Sequence, residues 1–154
     1  MKKIAVVAPY IPEWDRFEKT EESEVLFQKL KDFLISFEKE QGEVWLLTGM
    51  GKGAEALAAM ALLCIKGQDS LKLECVLPYE EQAAEWTECE RDRYFYIIEK
   101  CDKETLLQTA YTEDAEYNAY RYMVESADII LTFGKLPLKV GTLVSDSKKE
   151  IINL

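Results

Sequence analysis

The chain has 154 residues, 48% of them hydrophobic and 31% charged, which suits one compact domain spanning 1–154 and argues against disorder. A net charge of −10, with only short basic stretches at Lys2 and Lys3, Lys29 and Lys31, and Lys148 and Lys149, disfavours nucleic acid as a partner. The absence of histidine excludes Ser-His-Asp and Cys-His catalysis, and four cysteines without CxxC spacing offer no structural zinc site. Cys64, Cys75, Cys89 and Cys101 are read instead as reduced core thiols.

Residues 3–8, with Ile4, Val6 and Val7 apolar, form a first buried strand in this reading. The apolar run before Pro9 is too short for a signal peptide or a membrane span, so a cytoplasmic location without membrane contact is expected. Pro9 and Pro12 interrupt regular structure. Leu26, Leu30, Phe33, Leu34 and Phe37 then recur at helical spacing, predicting an amphipathic helix over 21–40 that stops at Gly42. Residues 44–48 are the second strand, and 53–66 a helix apolar nearly all round. Residues 71–77 are the third strand, ending at Pro78. A long helix is expected over 79–100, with Tyr94, Ile97, Ile98 and Cys101 on one stripe. Residues 105–109 are a weak fourth strand. Thr112 is the expected N-cap of a helix ending near Ser126. Residues 128–133 are a strand, 134–141 a loop, and a short helix follows.

Strands alternating with helices imply right-handed crossovers and a mostly parallel sheet, an α/β, Rossmann-like three-layer domain. Ligands of such sheets sit beyond the carboxyl ends of the strands. The loops to watch are therefore 9–20, 49–53, 78–86 and 133–142.

The densest motif is Thr48-Gly49-Met50-Gly51-Lys52-Gly53-Ala54-Glu55, where a strand ends in a glycine-rich turn that opens a helix. Glycines let a ligand approach the backbone, and a helix start suits an anion such as phosphate. A bare strand-to-helix turn is the simpler reading. It is not a P-loop, because Gly53 stands where magnesium needs a hydroxyl. Lys52 is either a solvated loop lysine or a cation beside phosphate. Glu55 either complements the helix dipole or bonds a ribose hydroxyl. Glu80 and Glu81 are adjacent on one element and do not face each other as a catalytic pair. Trp86 is an aromatic anchor or a stacking wall for a base. Arg121 is a surface cation or a phosphate contact. Gly141 and Thr142 are a helix-entry turn or a second phosphate cradle. Tyr117, Tyr120 and Tyr122 make an aromatic helix surface, suited to core packing or to a homodimer contact.

The turn at 48–55 resembles the TGMxxGxD/E turn of the YpsA-like branch of the SLOG superfamily, whose wider relatives are the LOG-type and DprA-type Rossmann proteins. Leu77-Pro78-Tyr79-Glu80-Glu81-Gln82, then Trp86, Tyr94, Ile97 and Ile98 before Cys101 and Asp102, follow that branch's third strand and long helix. Residues 121–128 resemble its next motif, and Gly141-Thr142 sits where the superfamily places a GGT or GTxxE turn. The likeness covers roughly 44–142. It implies a nucleotide or nucleotide-derived ligand, with Thr48 to Gly53, Glu55, Pro78, Trp86, Arg121, Gly141 and Thr142 as the site. LOG-type relatives hydrolyse the N-glycosidic bond of nucleoside monophosphates, and DprA-type relatives bind single-stranded DNA. The LOG-type catalytic Arg and Glu positions hold Ala119 and Ser145 here, and Val140 replaces the first glycine of GGT. A non-catalytic sensor or regulatory domain is therefore expected, with no assigned catalytic residue or metal. Hydrolysis with Glu55 or Asp146 as the acid, and a ligand-free adaptor, are the alternatives.

Overall fold

The computed structural model describes residues 1–9, 21–67 and 69–154. Its order is β1 (Lys2–Val7), α1 (Glu21–Gln41), β2 (Val44–Thr48), α2 (Ala54–Ile65), β3 (Leu71–Leu77), α3 (Glu88–Lys100), β4 (Lys103–Leu106), α4 (Ala115–Ser126), β5 (Ile129–Thr132), α5 (Leu138–Asp146) and β6 (Glu150–Asn153). The part of the 9–20 loop over 10–20 lies outside the described residues.

The six strands form one sheet in the order β4-β3-β2-β1-β5-β6, and every pairing is parallel. The chain winds outward from β1 to β4, then returns through α4 to place β5 beside β1. That reversal is the topological switch point, where the crossovers on either side of β1 part to opposite faces and leave a crevice. Both faces are covered, so the inner stretches of β1 (Ile4 to Val7) and β5 (Ile129 to Leu131) can be continuously apolar. One core packs Ile4, Val6, Leu46 and Leu73 against Leu30 and Leu34 of α1, Leu62 of α2 and Ile97 of α3. The other packs Ala5, Val7, Leu47 and Ile130 against Met123 of α4 and Val144 of α5.

Several boundaries differ from the sequence reading. The helix expected from residue 79 begins at Glu88, because Thr87 and Glu90 form a reciprocal capping box. Residues before it fold as tight turns, with Ala84 N–H on Glu81 O (3.1 Å) and Trp86 N–H on Ala83 O (3.1 Å). Strand β4 begins at Lys103, two residues early, because Asp102 N–H bonds Leu73 O (2.9 Å) and sets its register on β3. The N-cap of α4 is Asp114, to whose carboxylate Thr112 donates at 2.6 Å. Strand β6, not expected, follows a turn at Lys148, whose φ is 56°. Cys75 alone is a buried thiol: Cys101 is half-buried, and Cys64 and Cys89 are exposed rather than in the core.

Candidate functional site

Beyond the carboxyl ends of β1, β2 and β3 lies a cleft of about 650 Å³. Its floor is Gly49, Gly51 and Glu55, one wall is Pro78, Tyr79, Gln82 and Trp86, and the other is Tyr117, Ala119 and Tyr120 of α4, with Pro137, Lys139 and Val140 at the start of α5. Pro9, Lys52, Glu113 and Glu116 complete it.

The glycine turn is shaped from within. Thr48 Oγ1 donates to the backbone oxygen of Glu55 (3.1 Å) and accepts from Met50 N–H (3.3 Å). Met50 is buried at φ 60°, and Gly53, the N-cap of α2, has φ 78° and ψ −126°, a conformation L side chains rarely adopt. The group that approaches Gly51 closely is Glu55 itself. Its Oε1 accepts from Gly51 N–H at 3.0 Å, and a Cβ on Gly51 would lie 2.6 Å from that oxygen.

Glu55 is 2% exposed although it lines the cleft. Its Oε2 accepts from Tyr120 OH (2.5 Å) and weakly from Ala8 N–H (3.4 Å). Glu55 therefore joins the end of β1, the turn after β2 and helix α4 across the switch point. Burial pushes its carboxyl from about 4.5 up to about 7, against the three hydrogen bonds that favour the charged form. Glu116 adds a smaller push in the same direction. The outcome is a carboxyl that exchanges a proton near neutrality at the floor of a cleft.

The walls are aromatic and carry cations. Lys52 Nζ lies 5.6 Å from the Trp86 ring centre and 3.8 Å from Glu90 Oε2, and Trp86 packs edge-on against Tyr94 (5.3 Å). Opposite, Lys139 Nζ sits 4.2 Å from the Tyr117 ring centre. Gln82 Nε2 donates to Gly49 O (3.0 Å), tying the 78–86 wall to the floor.

Of the residues expected at the site, Gly49, Gly51, Lys52, Glu55, Pro78 and Trp86 line the cleft together, while Thr48, Met50 and Gly53 shape the turn beneath it. Three do not join them. Gly141 and Thr142 lie inside α5, where Gly141 N–H bonds Pro137 O (2.8 Å), so no second glycine turn exists there. Thr142 and Asp146 line a separate groove with Leu138 and Leu143. Arg121 is exposed and lines another with Gln108, Asn118 and Glu125. Ala119 lines the cleft at the LOG-type arginine position, and Ser145 is exposed on α5. Gln82, Tyr79 and Lys139 were not singled out, although Tyr79 and Gln82 stand in the stretch that carries the family likeness. Tyr120, read as packing, is half-buried and bonds the central carboxyl. Among the described residues no cluster of three or more His, Cys, Asp or Glu could hold a metal, and no helix is long and apolar enough to cross a membrane.

A family model, YpsA, described as the YspA SLOG family, matches residues 16–135, well over half of the chain. No curated protein matches the sequence. The chain belongs to the YspA SLOG family, as its motifs led us to expect.

Proposed function

We propose that this SLOG protein binds a nucleotide-derived ligand in the cleft and acts as a sensor or regulatory domain rather than as an enzyme. The observation that carries this reading is the joining of flat aromatic walls to two lysines, one before α2 and one in the first turn of α5. A base or sugar lies against Trp86. The anionic group meets Lys52 and Lys139, helped by helix N-termini whose first N–H groups lack intrahelical partners. Because Gly51 N–H already holds Glu55, the phosphate belongs nearer Lys52 and the start of α5 than over Gly51.

The test is a thermal-shift screen with AMP, NAD, ADP-ribose and cyclic dinucleotides. At about 100-fold over Kd, binding adds roughly 2.7 kcal/mol, on the order of 5–10 °C for a domain of this size. Lys139→Glu should abolish the shift without lowering the melting point of the free protein. A flat response to every compound at millimolar concentration would end this reading.

Glu55 favours one second reading, hydrolysis of a nucleotide's glycosidic bond. A carboxyl near 7 at the cleft floor suits a proton donor to a departing base. Asp146, the other acid considered, lies outside the cleft. Release of free adenine from AMP, lost in Glu55→Gln, would establish it; no free base after prolonged incubation would remove it for that substrate.

A further inference from the structure

We propose that Gln82 is a specificity-determining residue of the cleft, whose Oε1 accepts a hydrogen bond from an N–H or O–H of the ligand's nucleoside moiety. The inference rests on the nucleotide reading above.

Gln82 is 8% exposed and lines the cleft. Its Nε2 donates to Gly49 O at 3.0 Å. A carbonyl oxygen can only accept, so this contact fixes which end of the amide is the NH₂ and which the oxygen. The remaining Oε1 is buried and has no partner among the described residues. Buried polar atoms are nearly always paired, so an unpaired amide oxygen on a residue that lines the cleft is an acceptor awaiting a donor. The wall holding it is built rather than loose: the turn bonds of Ala84 and Trp86 fix the backbone on the C-terminal side of Gln82. Stacking surfaces stand beside it in Tyr79 and Trp86, and the floor and rim add carboxyl oxygens from Glu55, Glu113 and Glu116. The cleft is thus rich in acceptors and matches a donor-bearing group placed against an aromatic ring. Two parts of an adenine nucleoside carry such donors, the exocyclic amine of the base and the ribose hydroxyls.

The experiment measures binding by titration calorimetry to the intact chain and to Gln82→Leu and Gln82→Glu. The probes are AMP and ADP-ribose, together with their analogues lacking the 6-amino group, the 2′-hydroxyl or the 3′-hydroxyl. One donor-deleted analogue should bind the unaltered protein about tenfold more weakly than its parent, the worth of one hydrogen bond. That difference should vanish in Gln82→Leu, where the acceptor is gone. It should survive in Gln82→Glu, which keeps an acceptor while losing the contact to Gly49; a purely structural role would make the two variants alike. The analogue that suffers identifies amine or hydroxyl as the source. Equal losses in the unaltered protein and Gln82→Leu, or no loss with any analogue, would overturn the assignment while leaving nucleotide binding intact. Should Gln82→Leu not fold, the analogue series on the unaltered protein and Gln82→Glu still decides, since no loss in either overturns it. Failure of both parent nucleotides to bind would refute the nucleotide reading and this assignment together.

Discussion

Of the three buried carboxyl groups among the described residues, Glu55, Glu74 and Glu90, the first two each accept a hydrogen bond from a tyrosine of α4. Glu74, in the middle of β3, accepts from Trp45 Nε1 (2.9 Å), Thr105 Oγ1 (2.8 Å) and Tyr122 OH (3.0 Å), with Lys103 Nζ at 4.0 Å. Glu55, at the end of the sheet, accepts from Tyr120 OH and two backbone N–H groups, with no cation bonded to it in the described residues. Both are nearly inaccessible, at 1% and 2% exposure. Their surroundings give them different work. Glu74 is sealed between strands and helix, and fastens α4 to β2, β3 and β4. Glu55 lies at the floor of a cleft, beside Gly51 and Tyr120. Position relative to the switch point, rather than residue type or burial, separates a carboxyl sealed in the core from one that lines the cleft.

The largest effect that would sharpen this contrast is Glu74→Leu. It strands an indole N–H and two hydroxyls without their acceptor, and should cost about 3–5 kcal/mol in urea denaturation. Nucleotide affinity of the folded fraction should not change. A loss below about 1 kcal/mol would mean that the network does not fasten α4.

Glu55 should instead declare itself through pH. Its folded-state value is raised to about 7 from about 4.5. Between those values the unfolded chain has lost the proton that the native state keeps, so the native state binds more protons and stability falls as pH rises. The decline amounts to at most about 3 kcal/mol and levels off above about pH 7. Glu55→Gln should flatten this part of the profile, and Glu74→Gln should leave it in place. An unchanged slope in Glu55→Gln would show that the proton resides elsewhere.

Gly51→Ala tests the same carboxyl from its other side. The added Cβ falls 2.6 Å from Oε1, the oxygen that accepts from Gly51 N–H, and overpacking of this kind costs about 1–3 kcal/mol. Combined with Glu55→Ala, which empties the contested space, the penalty should largely disappear. Additive penalties would mean that the turn needs glycine for its backbone alone.

The fold was legible where periodicity is long: the buried runs of β1, β2, β3 and β5 and the amphipathic α1 stand close to where the spacing of their apolar residues places them. What escaped were short elements set by tertiary partners. Strand β6 is four residues after a charged turn and exists because β5 offers it an edge. The start of α3 was written in Thr87 and Glu90, a capping box overshadowed by the longer apolar stripe. At the site, the turn at 48–55 and the wall at Trp86 were visible as motifs. The meeting of Glu55 with Tyr120, 65 residues away, was not, since spacing along a chain says nothing about which helix returns over which loop. Gly141 misled because Gly141-Thr142 sits where the superfamily places a GGT or GTxxE turn, whereas Pro137 already stands at the N-cap of the helix that contains it.

The smallest and most discriminating pair is Tyr120→Phe against Tyr122→Phe. Each deletes one hydroxyl donor to one buried carboxyl and leaves the ring, so each should cost only about 1 kcal/mol. The pH dependence of the two losses should differ. The Tyr120 hydroxyl holds the Glu55 value down, so removing it lets burial push that value higher and carries the decline in stability further above pH 7. Tyr122→Phe removes a bond to Glu74 and should lower stability without moving this part of the profile. Parallel profiles for both variants would place Tyr120 in the same fastening role as Tyr122 and remove the distinction between the two carboxyls. A displaced profile for Tyr120→Phe alone would tie the titrating proton to the cleft, where a ligand can compete for it.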